Sequence, residues 1–306
     1  MAITTSNVLQ TAVSSYFSGL VQPSDSWSKI YNVDRSDVPS RRLAALTGIP
    51  DPGAWDGAAD LPTTTLDSTG AVTMSYQAYG VQVRLPYLAA NGDIPGVVEM
   101  ASRKLGRSVA SKRAALAWAH LETSFTAGPT AIADGLALCS AVHTTAGAAT
   151  RSNLAANTAL DRSAFLAMIG QMRRWVNFQG QTYDLADAKK YLVVPPELET
   201  AARQIVGSPF ALTTPVTSGG PAQGEISTAG GFNTEVIVSS YLADTNDYWL
   251  ICDPAVESPL HWWDRAMPAF DVYLDQDSKA VKLNASWACA TASGPQPDGI
   301  IGCNKT

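Results

Sequence analysis

The sequence predicts an α+β fold, with a long helix in the first half of the chain and strands at its end. A helix is indicated between residues 95 and 121, because seven apolar side chains fall within an arc of about 120° at the helical period: Val97, Val98, Ala101, Leu105, Val109, Leu116 and Ala119. Between residues 281 and 289, apolar and polar residues alternate, which is typical of a half-buried strand. Two segments rich in Gly, Pro, Ser and Thr, 48–75 and 208–233, separate the regular elements. Long loops of this kind are usually functional.

The composition indicates a folded chain with little charge. Of the 306 residues, 16% are charged and 46% are apolar, and the net charge is −6. About 25% of residues are charged in an ordinary soluble protein. These values exclude a disordered chain and a basic protein that coats nucleic acid. The first basic residue is Lys29 and no apolar run approaches the ~20 residues of a membrane span, so we expect neither a secretory signal nor a membrane partner.

The first half of the chain is predicted to contain two helices and a strand. A short amphipathic helix is indicated by apolar residues at helical spacing, namely Val8, Leu9, Val13, Tyr16, Phe17 and Leu20. A strand is predicted over residues 79–84. The long helix then begins at Pro95, and Arg103, Lys104 and Arg107 point away from its apolar arc. We favour a solvated basic face there over a dedicated anion site.

The second half is predicted to begin with a helix that Asp161 caps and that buries Phe165, Ile169 and Met172. A strand over 191–194 then leads to Pro196, which can open a helix because it needs no amide donor there. Gly207 is predicted to end that helix. The remaining strands are predicted at 235–239, 248–252, 272–274 and 281–289.

The three histidines are the only candidates for acid–base chemistry, because the common enzyme motifs are missing from the sequence. His143 could pair with Ser140 or Cys139 in a hydrolase, although no motif links them. His120 is predicted to favour its helix end as an imidazolium. His261 with Trp262 and Trp263 resembles an aromatic patch that packs inside the protein or faces a partner.

No metal or cofactor is expected. The cysteines are scattered without a Cys-x-x-Cys pair, which makes a zinc site improbable and favours four reduced thiols: Cys139, Cys252, Cys289 and Cys303. Residues 240–277 carry eight acids and one base, but they contain no calcium-loop pattern. We expect a solvated acidic face.

Several short segments, in a characteristic order, resemble a known family. They are Arg41-Arg-Leu43 with Trp55, Leu138-Cys-Ser140 with His143, Ser152-Asn-Leu154, Tyr191-Leu-Val-Val-Pro-Pro-Glu-Leu-Glu199, Ala201-Ala-Arg203, Glu235-Val-Ile-Val238 and Trp249-Leu-Ile-Cys-Asp253. Over about residues 41–290 the chain is similar to tailed-phage major capsid proteins, and in particular to the Mu-like prophage major head subunit family.

The resemblance implies a Hong Kong 97-type major capsid fold. In that fold, residues 1–48 would form the N-terminal arm and 49–78 the extended loop. Residues 79–195 and 273–306 would form the peripheral domain, which includes a spine helix at 94–122. Residues 196–272 would form the axial domain. Lys–Asn cross-links, which occur in some members of the wider fold, cannot be assigned to any pair here.

The function implied by the resemblance is self-assembly, through hexamers and pentamers, into an icosahedral shell around the double-stranded DNA of a tailed bacteriophage. The DNA would be enclosed without sequence-specific binding, the shell would assemble in the host cytoplasm, and portal, scaffolding or decoration proteins would be partners. The candidate assembly contacts are Trp55, Asp67, Thr69, Arg103, Lys104, Arg107, His261, Trp262 and Trp263. Two alternatives remain: an encapsulin-like nanocompartment shell, and a hydrolase that uses His143.

Overall fold

The chain is described by a computed structural model. It places residues 5–21, 26–46, 68–85, 95–128, 131–145, 150–182, 185, 187–207, 210–211, 225–226, 232–257, 259–275, 277 and 280–305. The α-helices in these ranges are α1 (Thr5–Leu20), α2 (Pro95–Glu122), α3 (Arg162–Arg173) and α4 (Glu199–Gly207). None of them has the length and hydrophobicity that crossing a membrane requires.

The strands include three short pairs and two four-stranded sheets. In chain order they are β1 (Asn32–Arg35), β2 (Arg41–Leu46), β3 (Ser68–Met74), β4 (Gln77–Leu85), β5 (His143–Thr144), β6 (Thr150–Arg151), β7 (Lys190–Val194), β8 (Phe210–Ala211), β9 (Glu225–Ile226), β10 (Thr234–Val238), β11 (Tyr248–Cys252), β12 (Leu260–Leu274), β13 (Val281–Ser293) and β14 (Ile300–Cys303). The short pairs are β2 with β3, β5 with β6, and β8 with β9.

The first sheet has the strand order β1-β12-β13-β4. Its centre is the long antiparallel pair of β12 and β13, which is interrupted by irregularities near Ala266. Helices α1 and α2 cover one face, where they share an apolar core with side chains such as Trp262, Leu283 and Trp287. On β13 the predicted alternation is confirmed over residues 283–286, where Leu283 and Ala285 are buried beneath the helices while Ser286 is exposed; Ala288, expected on the outward side, is buried.

Helices α1 and α2 touch through two glycines. A Cβ atom on Gly106 would lie 2.9 Å from the amide nitrogen of Leu20, and closer still to the carbonyl oxygen of Tyr16. A Cβ atom on Gly19 would lie 3.0 Å from the carbonyl carbon of Arg103. The backbones therefore meet with no side chain between them, and this contact decides which side of α1 is buried. Consequently Tyr16 is fully buried, whereas Phe17 is exposed although its spacing predicts burial.

The second sheet has the order β10-β7-β11-β14, with β7 and β10 parallel. Every residue of β7 and β11 is buried, because both faces of this sheet are covered. Tyr191 and Trp249 point into the core under α2. Leu192 and Leu250 point into a second core beneath α3 and α4. This sheet thus joins the two cores.

Local capping follows the sequence closely. The Asp161 side chain accepts a 2.7 Å hydrogen bond from the amide of Ala164 and caps α3, which ends at Arg173. Hydrogen bonds from the Ala164 amide, the Ser163 hydroxyl and the Ser163 amide hold the pKa of Asp161 below its usual range. Pro196 opens a short 3₁₀ turn, after which α4 runs to Gly207.

The sheets do not divide where the expected domain boundaries fall. The boundary at 195/196 separates β7 from β10 and β11, although strand pairing joins all three. The boundary at 272/273 cuts through β12. The reason is that β7 and β14 are distant in sequence from the strands with which they pair, so no local pattern reveals the pairing.

Candidate assembly surfaces

A two-stranded ribbon formed by β2 and β3 contains one of the expected assembly contacts, Thr69. Its strands pair antiparallel from Arg41 with Met74 to Leu46 with Ser68. Thr69 lies on β3. Residues 47–67, which include Trp55 and Asp67, lie outside the described residues, and so does most of the expected extended loop.

The base of the ribbon is fixed to the first sheet, on the face opposite α1 and α2. A small core there contains Met74, Trp263 and two alanines of β13, with Leu43 and Val72 packed against it. The indole nitrogen of Trp263 donates a 2.8 Å hydrogen bond to the carbonyl oxygen of Ser36. The ribbon is therefore anchored at one end by buried apolar contacts.

Of the two alternatives for the aromatic residues at 261–263, packing inside the subunit is the one observed for both tryptophans. Trp262 and Trp263 are fully buried and His261 is half-buried. The reason is that β12 extends from Leu260 to Leu274, so neighbouring side chains point to opposite faces of a sheet that is covered on both sides at this end. Trp262 faces the helices and Trp263 faces the ribbon.

The basic side of α2 is exposed, as predicted. Arg103, Lys104 and Arg107 are all exposed, and Arg103 forms an ion pair of 2.8 Å with Glu99 one turn earlier. Lys112 is exposed on the same helix, with its ammonium 6.0 Å from the centre of the Tyr79 ring.

A buried ion pair lies beneath this helix and was missed by the sequence reasoning. The Arg113 guanidinium donates hydrogen bonds of 2.9 and 2.7 Å to the two carboxylate oxygens of Asp264, whose side chain is 1% exposed. The Trp262 indole donates a further 2.9 Å bond to the same carboxylate. Asp264 belongs to the acidic segment 240–277 that was expected to be solvated. Its burial shows that this segment is not one uniform acidic face.

The geometry around His143 does not fit a hydrolase. His143 is fully buried, with Nδ1 2.8 Å from a carboxylate oxygen of Asp134 and Nε2 3.2 Å from the side-chain oxygen of Asn153. The Asn153 amide is oriented by its own 2.7 Å hydrogen bond to the carbonyl of Leu138. Both ring nitrogens therefore face structural partners, and neither faces a Ser hydroxyl or Cys thiol among the described residues.

His120 is neutral, not cationic as its place at a helix end had indicated. Its Nδ1 lies 3.0 Å from the hydroxyl of Tyr31, which also donates a 2.7 Å bond to the carbonyl of Ala117. Burial, with a smaller effect from the nearby His261, lowers the pKa of His120 to about 4.

The four cysteines are free and buried. Burial raises the pKa of the Cys139 thiol to about 12 and that of Cys289 to about 11, so these thiols stay protonated and are poor nucleophiles. Within the described ranges, no group of three or more His, Cys, Asp or Glu side chains is arranged to hold a metal ion.

The described elements therefore combine a long helix on a four-stranded sheet, a second buried sheet and an anchored outer ribbon, which is the Hong Kong 97-type capsid fold. Residues 63–301 match the family model for phage capsid protein, and the chain belongs to this family. It is a major capsid protein with a structural role. Comparison with curated proteins gives no match.

Solved shells with a similar fold share little sequence with this chain. The procapsid subunit of bacteriophage JBD30 is 11% identical with a TM-score of 0.54, over 98% of this chain and 75% of that one. The capsid of cyanophage P-SCSP1u is 11% identical with a TM-score of 0.56, over 92% and 88%. The virus-like particle from Pyrococcus furiosus is 9% identical with a TM-score of 0.54, over 98% of both chains. At these identities the matches show the fold alone.

Proposed function

We propose that copies of this chain assemble through hexamers and pentamers into the icosahedral shell that encloses the double-stranded DNA of a tailed bacteriophage. Assembly takes place in the host cytoplasm, with portal and scaffolding or decoration proteins as partners, and the chain is of the Mu-like type. Membership of the phage capsid family is the observation that supports this proposal most strongly. In a closed shell, each contact joins different surfaces of neighbouring copies.

The domain division that follows from the sheets differs from the one expected. We assign the first sheet, with α1 and α2, to the peripheral domain. We assign the second sheet, with α3 and α4, to the axial domain. Helix α2 is then the spine helix, and the ribbon is the described part of the extended loop.

The ribbon is the proposed assembly element, and one of its faces is free of the subunit core. Leu43 and Val72 pack onto the sheet, whereas Arg42 and its cross-strand neighbour Thr73 are exposed. A neighbouring copy can therefore contact this outer face without disturbing the subunit. Trp262 and Trp263 leave the set of proposed contacts because they are buried.

Arg42→Glu tests this role, with Arg42→Lys as the matched control that retains the charge. We expect both variants to fold like the natural chain, because the side chain is exposed. Light scattering and electron microscopy should show fewer particles for Arg42→Glu alone. A normal particle yield from Arg42→Glu would remove the ribbon from the proposed interface. A natural chain that stays monomeric under all conditions would overturn the shell proposal itself.

Deletion of residues 68–73 would be a poorer test of the ribbon. It would remove most of β3, including Val72, which helps to cover the buried Trp263. We therefore expect that deletion to destabilise the subunit as well as to block assembly.

A nanocompartment shell is the second candidate, because the same fold occurs in a particle that is not described as a phage capsid, the virus-like particle from Pyrococcus furiosus. The contents of particles made during phage production separate the two functions. Nuclease-protected double-stranded DNA inside them supports the phage shell, and an enclosed protein cargo without DNA supports the nanocompartment.

A further inference from the structure

Helix α2 and its neighbour α1 together form a layer whose exposed charge is positive. Helix α1 contains no charged residue. On α2, the exposed bases Arg103, Lys104, Arg107 and Lys112 fall within about half of the helix circumference at 100° per residue. Glu99 is the one acidic residue near them on this helix, and it already pairs with Arg103. The exposed side of α2 therefore has an excess of positive charge.

The opposite face of the same sheet is balanced in charge. Cross-strand pairing places Lys282 beside Arg84, and Asn284 beside both Gln82 and Asp271. Lys282 also forms a 2.8 Å ion pair with Asp275. The two sides of this thin layer thus differ in their attraction for a polyanion.

We propose that the exposed side of α2 faces the enclosed DNA, and that Lys104 and Arg107 bind its phosphate backbone. This inference rests on the proposed function. Double-stranded DNA presents one charge per ~1.7 Å of its axis, and the bases from Arg103 to Lys112 span ~13 Å of helix at ~1.5 Å per residue. Such a patch meets phosphates in any register, so the contact does not depend on sequence. Ser108, exposed on the same helix, adds a hydroxyl donor.

The competing occupant of this surface is a second copy of the chain, because Met100 and Val97 are exposed on the same helix, and Val13 and Phe17 are exposed on α1. On α2 itself, four exposed bases against two exposed apolar side chains favour a phosphate backbone over an apolar partner. The two occupants differ in what their loss changes: loss of DNA contacts weakens DNA binding, whereas loss of a subunit contact reduces particle formation.

The test uses purified unassembled subunits and a fluorescent DNA duplex of about 24 base pairs, with affinity measured by anisotropy over a range of NaCl concentrations. The variants are Lys104→Gln/Arg107→Gln and the control Arg84→Gln. Arg84 is exposed on β4, whose neighbouring Val83 and Leu85 pack into the core under α2, so Arg84 lies on the opposite face.

For the double variant we expect the negative slope of log K against log[salt] to become shallower by about 2, since each lost phosphate contact removes ~0.9 from its magnitude. With equal affinities at ~1 M NaCl, that change corresponds to about 60-fold weaker binding at ~0.1 M NaCl. Arg84→Gln should bind DNA like the natural chain. An unchanged slope in the double variant, or an equal loss in Arg84→Gln, overturns the inference. Loss of particles with unchanged DNA binding also overturns it and assigns the surface to a second copy. If the natural chain forms no particles, that result counts against the shell function, and the DNA-binding measurements still decide whether Lys104 and Arg107 bind phosphates.

Discussion

The contact between α1 and α2 gives the sharpest prediction about stability, through Gly106→Ala. The new Cβ atom would lie 2.9 Å from the amide nitrogen of Leu20, well inside the ~3.5 Å of ordinary contact. The opposing atoms belong to the backbone of α1, so no side-chain rotation relieves the clash. Overpacking of this kind costs up to about 3 kcal/mol. Alanine returns about 1 kcal/mol through its better helix propensity. The net loss of unfolding free energy is therefore about 2 kcal/mol.

Gly170→Ala on α3 is the matched control, because a Cβ atom there would meet nothing within 4 Å. It should stabilise the subunit by up to about 1 kcal/mol. Urea unfolding of unassembled subunits, followed by circular dichroism, measures both. With a slope of about 3 kcal/mol per M, Gly106→Ala should lower the midpoint by about 0.7 M. A Gly106→Ala variant as stable as the natural chain, beside a stabilised Gly170→Ala, would refute the close backbone contact.

Three further predictions concern buried groups. Leu192→Asp should prevent folding, because Leu192 is fully buried on a central strand and a charge there costs several kcal/mol. Leu192→Val should fold, so comparable soluble yields of the two variants would contradict the prediction. Asp264→Ala should cost about 3–5 kcal/mol in urea unfolding by leaving Arg113 buried without its partner, and Asp264→Leu/Arg113→Met should recover most of that loss. The pKa of His120 in the folded chain is near 4. As the pH falls below ~6.5, the unfolded chain therefore takes up a proton on this histidine before the folded chain does. Protonation of His120 should thus lower the free energy of unfolding by about 3 kcal/mol between pH 7 and pH 4. A His120→Gln variant should lose that part of the dependence, and identical pH profiles would show that His120 is not held neutral.

The elements set by local chemistry could be predicted from sequence. Helix α2 begins at Pro95 as expected, Asp161 caps α3, and Gly207 ends α4. Strand β11 has the predicted bounds, 248–252. Each of these depends on residues that are close together in the chain.

The features set by distant contacts could not be predicted. The sequence His261-Trp262-Trp263 does not reveal whether its strand is open to solvent or covered on both faces. Only the docking of α1 and α2 on one side and the ribbon on the other buries both tryptophans. Gly19 and Gly106 look like weak points in their helices until the second helix is in place.

The candidate surfaces were predicted unevenly, for the same reason. The exposed bases of α2 follow from helical periodicity, so Arg103, Lys104 and Arg107 were found. The burial of Asp264 against Arg113 joins β12 to α2 across a long stretch of chain, and no spacing rule detects it.

The most direct test of the central claim is electron cryomicroscopy of the purified natural chain. We expect closed icosahedral particles built from hexamers and pentamers, with the ribbon of each subunit in contact with a neighbouring copy. A chain that gives only monomers, or open aggregates without icosahedral symmetry, in every condition tried would contradict the assignment as a self-assembling shell protein.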